Sequence, residues 1–350
     1  ARPMTATRSP TRISDSSSMA APAPAAEPSQ MMAAQPRPVP QGRWMRRTFV
    51  RVGDVSASSE VTFREQEAAR VAEQALQMAP DSRDRHRTAV RALSRAGNVQ
   101  RALEVAEAWI SRDRLDPEAL IARADLLARS GQGSEALRVL TGVVDLRPDD
   151  ALLQERLVNA FQRAGREDRS CAHRVALAEI DTSNVDRVGA ALRCERALGR
   201  SAMANLLLQS VREPSARERA ERVASSLIEP PRSRGDLMIE ASWPGGDDID
   251  ISLIAPDGSR ISWMGGRTNV VAVGPTSAGS ESLGLRTASV GSYQIEITRN
   301  GSSTQTLSGE LRIRALDSRQ TIPFSISSGH RIVGRATVRR EERFEQMGGF

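Results

Sequence analysis

The sequence predicts an α + β multidomain chain: an α-solenoid of helix-turn-helix repeats followed by an antiparallel β-sandwich. Three observations predict it. Gly97, Gly131, Gly165 and Gly199 stand 34 residues apart, and a small residue (Ala102, Ala136, Ser170, Ala204) follows each by five positions. From about residue 60 to 228 the apolar residues recur with a helical period, and from about 236 to 340 the period becomes two. Before both lies a stretch of proline, alanine and serine without apolar periodicity.

Residues 1–42 read as a disordered linker, because they lack the apolar residues that offset chain entropy. "APAPAAEP" and "QPRPVP" favour extended polyproline-like backbone. A linker, and a first residue that is alanine, lead us to expect a processed form or a piece of a longer protein. Residues 43–60 form a short extended segment. The tail holds most of the charge excess. Residues 1–53 carry eight arginines against Asp15 and Glu27, so the overall net of +6 lies there and the remainder is neutral. A nucleic-acid binder concentrates its charge on a folded face with interleaved aromatics, so no nucleic-acid partner is expected. All 49 basic residues are arginine, and this excludes a phosphate-loop lysine or a Schiff base. No apolar run is long enough to span a membrane.

The helical region divides into a half repeat at 61–80, repeats at 83–116, 117–150, 151–184 and 185–218, and a capping helix at 216–229. In each repeat the glycine ends the first helix at a left-handed turn. The small residue five positions later lets the second helix pack close, and proline, as at Pro148, stops it. Unit 117–150 has Leu120, Ala124, Leu127, Ala136, Val143 and Pro148 at the expected places. This spacing and residue pattern resemble the tetratricopeptide repeat, whose paired helices bury their apolar faces only against neighbouring units. Two departures predict looser packing. Trp109 stands at a position that is normally small, and Glu195 at one that is normally apolar.

The resemblance implies a concave groove lined by the first helix of each repeat. Its residues here are Arg87, Arg91, Arg95, Asp125, Arg129, Asn159, Arg163 and Arg193. Arg95, Arg129 and Arg163 hold one repeat position and form a ladder across successive units. Arginine grips carboxylates bidentately, so a protein or acidic peptide is the expected guest. The alternative is that each arginine caps the carbonyls at the end of its own helix. The resemblance also sets the stretch holding Cys171 antiparallel to the one holding Cys194. Either a disulfide, worth about 3 kcal/mol through loop closure, or two buried thiols follows.

In the last third, "DDIDISLIAPDG" puts Ile249, Ile251 and Leu253 on one strand face and Asp248, Asp250 and Ser252 on the other, before a Pro256-Asp257-Gly258 turn. "GSYQIEITRNG" follows with Tyr293, Ile295 and Ile297 facing inward. These motifs resemble the jelly-roll modules of pre-peptidase C-terminal type appended to secreted bacterial proteases, and related domains of envelope proteins. The sandwich spans 236–340, with a loose tail at 341–350. Some relatives bind calcium, and Asp247, Asp248, Asp250 and Asp257 are the metal candidates. Solvated acids on an outward strand face are the alternative. No cofactor is otherwise expected.

His86, His173 and His330 lack metal-ligand spacing, and no nucleophile elbow, phosphate loop or dinucleotide fingerprint occurs. The expected function is a non-catalytic protein–protein adaptor of the bacterial envelope or outside the cell. Its sandwich would dock a second target or the cell surface. The alternatives are an accessory region of a larger secreted enzyme, or a carbohydrate- or calcium-binding module. Trp243, Trp263 and Tyr293 are the only sugar-stacking aromatics of the sandwich.

Overall fold

The computed structural model describes residues 45–226, 234–264, 270–273, 279–300 and 305–346. The expected linker at 1–42 lies outside the described residues. Arg47–Glu345 form one compact unit, so the helical repeats and the sandwich are parts of a single body. Of the other unit, the described residues are the outer ends of the first and last strands.

Strand β1 (Met45–Ser56) comes first. Among the described residues ten helices follow: α1 (Phe63–Met78), α2 (Arg83–Arg95), α3 (Val99–Arg112), α4 (Pro117–Arg129), α5 (Gly133–Leu146), α6 (Ala151–Arg163), α7 (Glu167–Ile180), α8 (Val185–Ala197), α9 (Ser201–Ser210) and α10 (Pro214–Ser225). The capping helix expected at 216–229 therefore begins earlier, at Pro214, whose fixed φ suits a first helical turn. Residues 227–229 lie outside the described residues.

The four repeat glycines have φ between +67° and +79°, the left-handed region. Each turn closes with the same six-to-one bond: Asn98 N–H to Leu93 O, Gln132 to Leu127, Arg166 to Phe161 and Arg200 to Glu195, at 2.8–2.9 Å. A second register of 34 sits at the other end of each first helix. Ser82, Asp116, Asp150 and Asn184 are its N-caps, and each side chain accepts a backbone N–H of the first turn.

Neither expected weak point is loose. Trp109 is buried because its indole N–H has a partner, donating to Asp116 at 3.0 Å. Glu195 is also buried, with Arg200 at 3.6 Å as its counter-charge.

The remaining strands are β2 (Leu237–Ser242), β3 (Asp248–Ile254), β4 (Arg260–Ser262), β5 (Val270–Val273), β6 (Ser280–Leu285), β7 (Gly291–Asn300), β8 (Leu307–Ala315), β9 (Ser318–Ile326) and β10 (His330–Gln346). Together with β1, these described strands make two five-stranded sheets, in the orders β1-β10-β7-β3-β4 and β5-β6-β2-β8-β9. The sandwich core lies between them, around Ile239, Ile251, Leu253, Ile295, Ile297, Leu311 and Ile313. Two expectations change. The extended segment before the repeats belongs to the sandwich as its edge strand β1. The tail expected to be loose from 341 continues β10 to Gln346.

The inner strands β3 and β7 of the first sheet are covered on both faces. Ile249, Ile251, Ile295 and Ile297 face the sandwich core. Asp250, Ser252, Gln294, Glu296 and Thr298 are buried too, under the helical repeats. The helices form a third layer on this sheet, and its polar face meets arginine rather than water.

Candidate functional site

The inner face of the repeats is where each expected groove residue can be located. Arg129, at the end of α4, donates from Nε to Glu296 on β7 at 2.7 Å and from Nη1 to the carbonyl of Ser94 at 2.8 Å. Its side chain and that of Glu296 are 1% and 0% exposed. Arg163, at the end of α6, pairs with Asp248 and with Asp250 at 2.7 Å on β3, and its guanidinium lies 4.3 Å from the centre of the Trp263 ring. Arg95, at the end of α2, donates to the carbonyls of Ala255 and Ser292 and pairs with Glu65 on α1 at 2.8 Å. The ladder thus has a third occupant, neither an outside peptide nor its own helix ends. Arg129 and Arg163 hold acidic side chains of the sandwich of their own chain, and Arg95 holds its backbone carbonyls together with Glu65 of α1.

The other groove residues are spread out. Arg87 donates to Glu118 and Asp84. Arg91 lies 3.8 Å from Asp257. Asp125 accepts from Arg156. Arg193 donates to the carbonyls of Val223 and Ala224, closing the C-terminal end of the array. Asn159 is exposed.

The calcium candidates are held by arginines. Asp247 accepts from Arg299 at 2.7 Å, Asp248 and Asp250 share Arg163, and Asp257 turns back to Ser259. Among the described residues no group of three or more His, Cys, Asp or Glu is placed to hold a metal ion. The reading of Asp248 and Asp250 as solvated is corrected as well: Asp250 is 6% exposed. Cys171 on α7 and Cys194 on α8 are disulfide-bonded, with Cα atoms 5.6 Å apart. Trp243 and Tyr293 are buried and Trp263 packs into the helical core cluster of Leu157 and Phe161, so none presents a ring for a sugar. His86 bonds the Ser82 carbonyl and His173 the Gln154 side chain, each within the repeats.

Three further charged residues were not picked out from the sequence. Glu65 is the N3 residue of a capping box with Thr62 at the start of α1, and it also receives Arg95, Arg335 and Gln294. Burial pushes its carboxyl up, but the Arg335 hydrogen bond, the Thr62 N–H and the charges of Arg335 and Arg95 outweigh this and hold it at about 2. The T-x-x-E pattern was a legible signal for the cap, though not for the arginines. Glu281 on β6 is the reverse. Burial, then the neighbouring Asp250, pushes its carboxyl well above the usual range, against the N–H it accepts from Ile251. Arg260 on β4 is pulled down by burial, with Glu296, Asp125 and Asp250 opposing.

Where the turn between β3 and β4 leans on α2, Gly258 sits so close that an added Cβ would lie 2.6 Å from the Arg91 carbonyl. Beside this contact the inner face stays open as a cavity of about 450 Å³. Arg87, Arg91, Asp125, Arg129, Arg156 and Arg260 contribute charge to its wall, and Val90, Leu126 and Leu153 contribute apolar surface.

The chain matches no family model and no curated protein. Solved structures resemble the helical repeats. MamA from Desulfovibrio magneticus RS-1 is 18% identical over 47% of this chain and 89% of its own, with a TM-score of 0.32. YrrB, a TPR protein with an unusual peptide-binding site, is 15% identical over 45% of this chain and 84% of its own, with a TM-score of 0.32. TTC0263, a thermophilic TPR protein of Thermus thermophilus, is 18% identical over 46% of this chain and 90% of its own, with a TM-score of 0.29. No helix among the described residues is long and apolar enough to cross a membrane.

Proposed function

We propose that the chain is a non-catalytic protein–protein interaction adaptor of the bacterial envelope. The observation that carries this reading is the open stretch of the inner repeat face, walled by Arg87, Arg91 and Asp125, in an array otherwise closed by its own sandwich. A partner segment with acidic side chains suits these arginines. The sandwich acts as a fixed wall of that groove, which replaces the separate docking arm expected from sequence. The disulfide between Cys171 and Cys194 supports an oxidising compartment, where such bonds persist. The resemblance of the β motifs to modules of secreted and envelope proteins points the same way.

The test is affinity capture from the envelope fraction of the source organism, using the wild type beside Arg87→Glu/Arg91→Glu. Both substitutions lie in the open stretch and spare the buried pairs. A protein retained by the wild type and lost by the variant supports the reading. Equal retention by both removes the groove as the binding face.

A further inference from the structure

Five arginines of the described residues are almost wholly buried: Arg129, Arg156, Arg260, Arg299 and Arg335. Four have a carboxylate in ion-pair contact, namely Glu296, Asp125, Asp247 and Glu65. Arg260 is the exception. It is 6% exposed, and its one hydrogen bond among the described residues runs from Nη1 to the Ser262 hydroxyl at 3.1 Å. Its Nε is buried with no partner, as is the Nε of Arg156 nearby. Removing a guanidinium from water without a paired anion is costly. Both side chains border the cavity between α2, α4, α6 and β4.

That cavity has two chemical characters. Six arginines and three carboxylates border it, and five of the six are ion-paired, Arg87 to Glu118, Arg91 to Asp257, Arg129 to Glu296, Arg147 to Asp150 and Arg156 to Asp125, so among the described residues Arg260 is the cation of its wall without an ion-pair partner. Val90, Ile121, Leu126 and Leu153 give it an aliphatic side. A volume of about 450 Å³ lies in the range of small-ligand sites. A guanidinium fork matches a planar carboxylate in two parallel bonds. We propose that this cavity binds a carboxylate carried on a small aliphatic body, with Arg260 as its anchoring cation. The sandwich then contributes a ligand-binding residue to the repeat groove. This goes beyond the adaptor reading and does not depend on it, because a free acid needs no protein partner. The same chemistry could arrive as a small acid or as the last residue of a peptide.

The experiment is titration calorimetry on the full chain with N-acetyl-leucine, its neutral amide, and the tetrapeptide acetyl-Ala-Ala-Ala-Leu with a free carboxylate. N-acetyl-leucine is expected to bind saturably and the amide at least about tenfold more weakly, the loss of one charge-assisted contact. Arg260→Gln is expected to weaken the acid by about tenfold or more while its Tm holds or rises, because the buried charge is gone. If the natural source is a peptide end, the tetrapeptide binds tighter than N-acetyl-leucine; if it is a free acid, it does not. Ile121→Glu, a half-buried position in the wall, gives a second variant: it should abolish binding of the acid by repulsion. No saturable binding of either acid, equal affinity for acid and amide, or unchanged acid binding by a folded Arg260→Gln or Ile121→Glu would overturn the proposal.

Discussion

Arg129 and Glu296 form an ion pair with almost no exposure, and such pairs are unforgiving when halved. Arg129→Met should cost about 3–5 kcal/mol, since Glu296 would stay buried without its counter-charge. Arg129→Met/Glu296→Leu should recover most of that loss, and guanidinium unfolding curves of the single and double variants check both. Glu281 gives the opposite sign. Its carboxyl is raised in the folded state, so it favours folding below its ordinary value of 4.5 and this contribution is lost as pH rises. Glu281→Gln should therefore raise Tm at pH 8 and change it little at pH 4. The ladder arginines were legible in the sequence, but their occupant was not. Alternation along β3 and β7 reports that Asp250, Ser252 and Glu296 share a polar face. A polar face reads the same whether it meets water or arginine. Arg260 gave no signal at all, since one arginine in a short strand is ordinary until its surroundings are seen.

At the scale of elements, the repeat corners were the most legible part, because backbone sterics leave glycine few rivals at positive φ. Gly131→Ala should cost about 1 kcal/mol, from φ alone, as no atom lies within 4 Å of the added Cβ. Gly189→Ala should cost more although its φ is ordinary. Its Cβ would stand 2.5 Å from Val223 and 2.9 Å from the Ala220 carbonyl, where α10 crosses α8. Thermal melts of the two variants rank these effects. The N-caps at Ser82, Asp116, Asp150 and Asn184 are equally regular, but three residue types share the role, so the register is fainter in sequence than that of an invariant glycine. The bulk of Trp109 is plain in the sequence, whereas the acceptor that lets its indole N–H be buried is not. Asp116 serves as cap, acceptor for that indole and partner of Arg83 together.

For the whole molecule, the two halves were legible and their union was not. The period of 34 and the switch to a period of two gave a boundary near residue 230, and a boundary suggests two bodies. The buried arginine contacts make one. We expect a single unfolding transition, with far-UV circular dichroism and tryptophan fluorescence coinciding. Reversing the charge of Arg95, Arg129 and Arg163 together should unfold the chain rather than only remove a partner. Acid should act through Glu65, whose carboxyl sits at about 2 when folded. A depressed acid stabilises the fold above its ordinary value, so stability should fall as pH drops from about 4.5 toward 2. Guanidinium midpoints at pH 5 and pH 3 measure it.

The position of β1 has a consequence for how the protein is made. This strand is synthesised before the helices, yet its hydrogen-bonding neighbour β10 comes after all the other described strands. While the ribosome is still working, the first segment of the sandwich has nowhere to go. The repeats can form in order as they emerge, each on the one before. The sheet beneath them closes only after β10 has been made, when two segments separated by the whole helical array and the other strands meet as adjacent strands.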